Sequence, residues 1–175
     1  MKRLACFPLL IPSLLTLPVE AEVKHLSDYG FILENRISTS AKPEAAWQAL
    51  VSDVGKWWPA DHTWWGKSEN LRIQAQAGGC FCEIEGEKQA LHMLISFAEP
   101  GKLLRMTGGL GPLQGMGLTG ALDWKIIPSE NGSDIILSYK VSGFAPDGFA
   151  TLAPIVDKVQ VIQLGGLGEY LNRRQ

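Results

Sequence analysis

The chain has 175 residues, with 16 lysines and arginines against 18 aspartates and glutamates and a formal charge of −2. That length fits one domain with a real core. The slightly acidic balance offers no basic patch, which excludes nucleic acid and anionic membrane surfaces as expected partners.

The first residues follow the order of an export signal. Lys2 and Arg3 give a positive end, Leu4 to Leu17 is an uncharged apolar run, and Val19-Glu20-Ala21 offers small residues to a signal peptidase. The run is shorter than the roughly 20 apolar residues that span a bilayer. Residues 1–21 are therefore expected to be removed. Residues 22–175 would then act as a single periplasmic or secreted domain with no stable membrane insertion. Cleavage also removes Cys6 and leaves Cys80 and Cys82 as the only cysteines. The mature domain must rely on its core, because it cannot carry several bridges.

Residues 22–29 read as a polar lead-in. Phe31, Leu33 and Ile37 alternate with Glu34, Arg36 and Ser38, the period of a strand over 30–39. Ser40 to Glu44 reads as a helix start, with Ser40 a candidate cap and Pro43 in the first turn. A short helix covers Glu44 to Val51, and Asp53 to Trp58 adds a turn ended by Pro59. Alternation then predicts strands over 71–75, 79–85, 89–97, 103–107, 117–127 and 134–143. The turns between them leave no room for crossovers, so the strands form an antiparallel meander.

From Leu152 to Leu171 the apolar residues recur at helical spacing. Pro154 suits a first turn, so the helix starts near 152. Gly165 and Gly166 weaken it by about 1 kcal/mol each relative to alanine, and they permit close approach to another backbone.

The predicted architecture is α+β. A curved seven-stranded antiparallel sheet wraps around a long C-terminal helix, with short helices after the first strand. The apolar face of the sheet must be covered, and the gap between sheet and helix is where a ligand would sit. By parity the inward set is Phe31, Leu33, Cys80, Cys82, Met93, Ile95, Phe97, Leu122, Trp124, Leu137 and Tyr139. Leu152, Ile155, Val159 and Ile162 face them from the helix.

This order of elements resembles the helix-grip fold of the START-like, or SRPBCC, superfamily. The likeness rests on Lys56-Trp57-Trp58-Pro59 with His62 and Trp64, Gly78-Gly79-Cys80-Phe81 with Glu83, and Glu99-Pro100-Gly101-Lys102-Leu103-Leu104-Arg105. It continues through Leu110 to Gln114, Tyr139 with Gly143, and Val156-Asp157-Lys158-Val159 with Gln163-Leu164. The group includes polyketide cyclase-like proteins, plant Bet v 1-like proteins and Hsp90-activator-like domains. The resemblance implies a cavity for lipophilic small molecules and carries over no catalytic residue. A protein partner like that of the Hsp90-activator domains would be cytosolic, which an export signal disfavours.

Individual motifs add chemistry. Gly115 to Gly120 matches G-x-G-x-x-G, but it opens a strand in a chain without alternating strand–helix units, so nucleotide binding is not expected. The surrounding loop is either a passive strand entry or a gate at the cavity mouth. Trp57, Trp58, Trp64 and Trp65 pack four of the six tryptophans into nine residues. They form a satellite core, a pocket wall, or one of each. His62 and His92 are candidate bases or hydrogen-bonded structural histidines, and no metal-binding spacing is present. Cys80 and Cys82 share a strand face and are expected as buried free thiols. Arg105 would hold a carboxylate or phenolate if it faced the cavity.

The expected function is non-enzymatic binding of an apolar or amphipathic molecule (lipid, aromatic or polyketide-like), without cofactor or metal. Expected ligand-binding residues are Trp58, Trp64, Met93, Phe97, Arg105, Trp124, Tyr139, Ile155 and Val159. The alternative is a cyclase-, dehydratase- or hydrolase-like enzyme, for which Arg105, His62, His92 or Asp123 must enter the cavity.

Overall fold

A computed structural model describes residues 20–174. All but the last two residues of the expected export signal lie outside that range. The strands are β1 (Glu20–Ser27), β2 (Gly30–Thr39), β3 (Leu71–Ile73), β4 (Cys80–Glu85), β5 (Lys88–Glu99), β6 (Leu103–Thr107), β7 (Thr119–Ser129) and β8 (Gly132–Ser142). The helices are α1 (Pro43–Ser52), α2 (Val54–Trp57), α3 (Pro112–Gly115) and α4 (Leu152–Arg173). One antiparallel sheet has the order β1-β2-β8-β7-β6-β5-β4-β3. The helix α4 packs across β1 and β2 and against α1 and α2.

The expected α+β architecture is present with eight strands rather than seven. The added strand is β1, which the polar lead-in conceals. It is an edge strand whose Val23 and Leu26 stay exposed, so burial imposes no alternating pattern on it. It pairs with β2 through a bulge between Val23 and His25. The expected Ser40 cap is also absent: Lys42 precedes α1, and no side chain caps it.

Three corrections concern which residues face inward. On β4, Phe81 and Glu83 are buried and Ile84 is exposed, so the face carrying Cys80 and Cys82 is the outer one. The two cysteines are joined by a disulfide and are not buried thiols; residues two apart on a strand stand side by side. On β5, Ile95 pairs with Met106 and Phe97 with Arg105, leaving Ser96 as an extra residue. That bulge reverses the parity and turns Phe97 outward, 44% exposed. On α4, Ile155 and Ile162 are 56% and 50% exposed, whereas Gln160 and Gln163 are buried. The inward stripe is therefore rotated from the one that apolar residues alone define.

The core fills the concave face. Trp57 packs edge-on against Trp124 at 5.7 Å, and Trp58 against Phe81 at 5.0 Å. Trp57 Nε1–H donates to the Ala49 carbonyl at 2.9 Å, which satisfies the polar edge of a buried ring. At the far end of α4, Arg174 Nη1–H donates to Asp53 at 2.6 Å, and Lys56 reaches the same carboxylate at 2.8 Å. Asn35, buried on β2, donates from Nδ2 to Asp157 of α4 at 3.1 Å.

Gly166 shows why α4 carries glycine. A Cβ there would lie 2.6 Å from the Trp57 carbonyl oxygen, so the helix crosses directly against the α2 backbone. Gly166→Ala is expected to lower the unfolding free energy by about 1–3 kcal/mol through overpacking, despite the better helix propensity of alanine. Urea titration at constant m-value measures this. An unchanged or raised midpoint would contradict the close crossing.

Candidate functional site

A cavity of about 330 Å³ lies between the concave sheet, α4 and two loops. One loop follows α2 and contributes Trp58, Asp61, His62, Thr63 and Trp64. The other runs from Leu110 through α3 to Met116. The sheet contributes His92 and Tyr139. The helix contributes Leu152, Ile155, Val156, Val159, Gln160 and Gln163. The wall is mostly apolar, as in sites for small organic ligands. Among the described residues, no lysine or arginine lines it.

The first loop is fixed by a buried acid. Glu83 is fully buried on β4. Its Oε2 accepts the Trp64 backbone N–H at 2.9 Å, and its Oε1 accepts that of Trp65 at 3.1 Å. Oε2 also meets His92 Nε2 at 3.1 Å. Both Glu83 oxygens already accept backbone N–H groups, so the side chain is the acceptor here, and the proton between it and the ring is assigned to His92 Nε2, which donates it. Trp58 Nε1–H donates to the His62 carbonyl at 3.0 Å, closing the loop on itself.

His92 occupies its place because of a bulge. Phe81 pairs with Met93 and Cys82 with Leu91, so His92 is the extra residue on β5. Both His92 and Met93 therefore turn inward, a common use of bulges beside functional sites. The His92 ring lies 4.9 Å from that of Phe81. Burial lowers its pKa from the ordinary imidazole value, and this outweighs the opposing pull of Glu83.

The second loop is held at its base by Tyr139. Its hydroxyl donates to the Gly108 carbonyl at 3.0 Å and accepts the Leu110 N–H at 3.0 Å. Burial pushes its pKa up to about 12, against the lowering effect of the Leu110 N–H. It is therefore a permanent O–H donor near neutral pH. Gly111, with φ +57°, makes the turn into α3, a conformation that costs little only for glycine. The G-x-G-x-x-G segment runs from the end of α3 into β7 and precedes no helix.

Of the nine expected ligand-binding residues, Trp58, Trp64, Tyr139, Ile155 and Val159 line this cavity. Met93 and Trp124 face inward but are buried in the core outside the cavity wall. Phe97 and Arg105 do not reach it, because both lie on the outer face. Arg105 there makes a two-pronged pair with Asp123, at 2.7 and 2.8 Å. Among the described residues, the cavity thus offers no lysine or arginine to a ligand carboxylate. Among the described residues, no three His, Cys, Asp or Glu side chains come together as a metal site. No helix of that range is long and apolar enough to cross a membrane.

The residues not anticipated as parts of the site are Glu83, Gln160 and Gln163. Gln160 is 1% exposed, and neither of its amide atoms has a hydrogen-bond partner. Gln163 Oε1, His62 Nδ1 and His92 Nδ1 are likewise buried and unpartnered, and all four residues line the cavity. Two glutamines three apart within the apolar stripe of a helix were the available signal, since glutamine is rarely buried.

No family model matches the sequence, and no curated protein matches it. Solved structures do share its fold. The chain is similar to a protein from Rhodobacter sphaeroides, at 17% identity over 89% of this chain and 100% of that one, with a TM-score of 0.57. A conserved protein of unknown function from Enterococcus faecalis aligns at 15% identity over 86% of this chain and 75% of that one, with a TM-score of 0.57. The Aha1 dimer from Colwellia psychrerythraea aligns at 17% identity over 80% of this chain and 95% of that one, with a TM-score of 0.55. Identities this low establish a common fold, an antiparallel sheet with a long C-terminal helix packed against it.

The lowered pKa of His92 sets a sign for stability against pH. The unfolded ring titrates near 6.5 and the folded ring lower. The native state is therefore fully favoured above about 6.5 and loses stability as pH falls from there toward the folded pKa. Unfolding free energy should drop between about pH 7.5 and 5, and the drop should be smaller in His92→Gln. Equal slopes for both proteins would contradict a buried neutral His92.

Proposed function

We propose that this is a small exported START-like protein that binds a neutral, largely apolar molecule bearing a polar group, in the cavity beneath α4. The observation that carries this reading is the set of buried, unpartnered polar atoms on a mostly apolar wall: both amide atoms of Gln160, Gln163 Oε1, His62 Nδ1 and His92 Nδ1. An unsatisfied buried polar group costs about 1–3 kcal/mol, and a bound molecule with hydrogen-bonding atoms would offset that cost. Among the described residues no lysine or arginine lines the cavity, which favours a neutral molecule over a fatty acid. Action outside the cytoplasm rests on the N-terminal pattern and is in keeping with the Cys80–Cys82 disulfide. The enzymatic alternative retains His62 and His92 at the cavity, whereas Arg105 and Asp123 pair on the outer face.

Native mass spectrometry of protein from its own periplasm should show a co-purifying small molecule. A library of neutral lipids, aromatics and polyketide-like compounds should raise the melting temperature. A ligand at 100 times its Kd adds about 2.7 kcal/mol, a rise of several degrees for a domain of this size. An unloaded protein whose melting temperature no compound moves would overturn the binding reading.

A further inference from the structure

The cavity is not uniformly greasy, and its polar atoms differ in kind. Gln160 and Gln163 carry amides that both donate and accept. His92 is more restricted. Its Nε2–H is committed to Glu83 at 3.1 Å, and Glu83 is in turn fixed by two backbone N–H groups. The ring is 5% exposed, and its Nδ1 has no partner in the protein. With the proton on Nε2, Nδ1 is a lone-pair acceptor. A strand bulge turns this ring onto the cavity wall. A buried carboxylate, a histidine oriented by it and a free acceptor nitrogen together make a site selective for a hydrogen-bond donor.

We propose that the Glu83–His92 pair recognises a hydroxyl group on the bound molecule, with His92 Nδ1 accepting the ligand O–H. This rests on the binding reading above and narrows it to neutral hydroxylated aromatic or alicyclic compounds. Glu83 is a positioning residue here: it sets the tautomer of His92 and does not meet the ligand. Desolvation keeps His92 neutral and so available as an acceptor. A ligand carboxylate would instead meet the Nδ1 lone pair, with no lysine or arginine among the described lining residues to compensate.

The test compares 2-naphthol with naphthalene, two flat molecules that differ by one hydroxyl. Equilibrium dialysis against the purified protein at pH 7.5 should give at least about threefold tighter binding of 2-naphthol, the worth of a modest neutral hydrogen bond. In His92→Phe that preference, read as the ratio of the two affinities, should disappear. Long-range ¹H–¹⁵N spectra of the wild type supply a readout that needs no variant. They should place the His92 proton on Nε2, and 2-naphthol, but not naphthalene, should shift the Nδ1 resonance.

A proton on Nδ1, equal binding of the two probes, or a preference that survives in His92→Phe would overturn the proposal while leaving a generic binding protein intact. Binding of neither probe at their solubility limits would also overturn it, and the wider compound library then decides the binding reading on its own.

Discussion

The burial of Glu83 is the constraint around which the site is built. A carboxylate taken out of water is costly unless its oxygens are fully hydrogen-bonded. Here three donors converge on it: the backbone N–H groups of Trp64 and Trp65, and the imidazole of His92. Those donors come from two separate parts of the chain. One is the loop between α2 and β3. The other is the bulged residue of β5. Satisfying one acid therefore fixes the loop that walls the cavity and fixes the ring that lines it. Removing Glu83 would leave the Trp64 and Trp65 amides and the His92 ring without their shared acceptor.

The rest of the fold divides the labour between packing and polarity. Trp57, Trp58, Phe81 and Trp124 interlock at 5.0–5.7 Å between ring centres, and Gly166 lets α4 close onto the α2 backbone beside them. This aromatic cluster supports one end of the helix. Toward its N-terminal half the same helix meets β2 through Asp157 and Asn35 and lines the cavity with Ile155, Val159 and the two glutamines. Tyr139 anchors the opposite loop through its hydroxyl. That loop is pinned at its base, while Met116 near its far end stays half-exposed. An anchored base and an exposed tip suit a segment beside a cavity mouth, where local opening costs least.

The architecture was largely legible in the sequence because strands buried on one face write their burial as alternation. That held for β2, β7 and β8, and helical spacing located α4 within a residue or two. Legibility failed where a residue was chosen for something other than burial. The edge strand β1 faces solvent and has no pattern to read. Bulges at His92 and Ser96 reset the parity of β5 and sent Phe97 to the wrong side. On β4 the inward position holds an acid, Glu83, so the outer face with Cys80, Cys82 and Ile84 looked more apolar than the inner one. On α4 two inward positions hold glutamine, which rotated the apparent stripe toward Ile155 and Ile162. Two of these misreadings, at the His92 bulge and at the glutamines of α4, fall on residues that give the cavity its polarity, as expected where local rules yield to function.

The central claim is that the unpartnered polar atoms of this cavity await a bound organic molecule. A crystal structure at high resolution, from protein purified from its native compartment without organic additives, tests it most directly. The account predicts continuous density in contact with the Gln160 amide and with His92 Nδ1. A cavity holding only water, or Gln160 and Gln163 turned to pair with the protein, would contradict it.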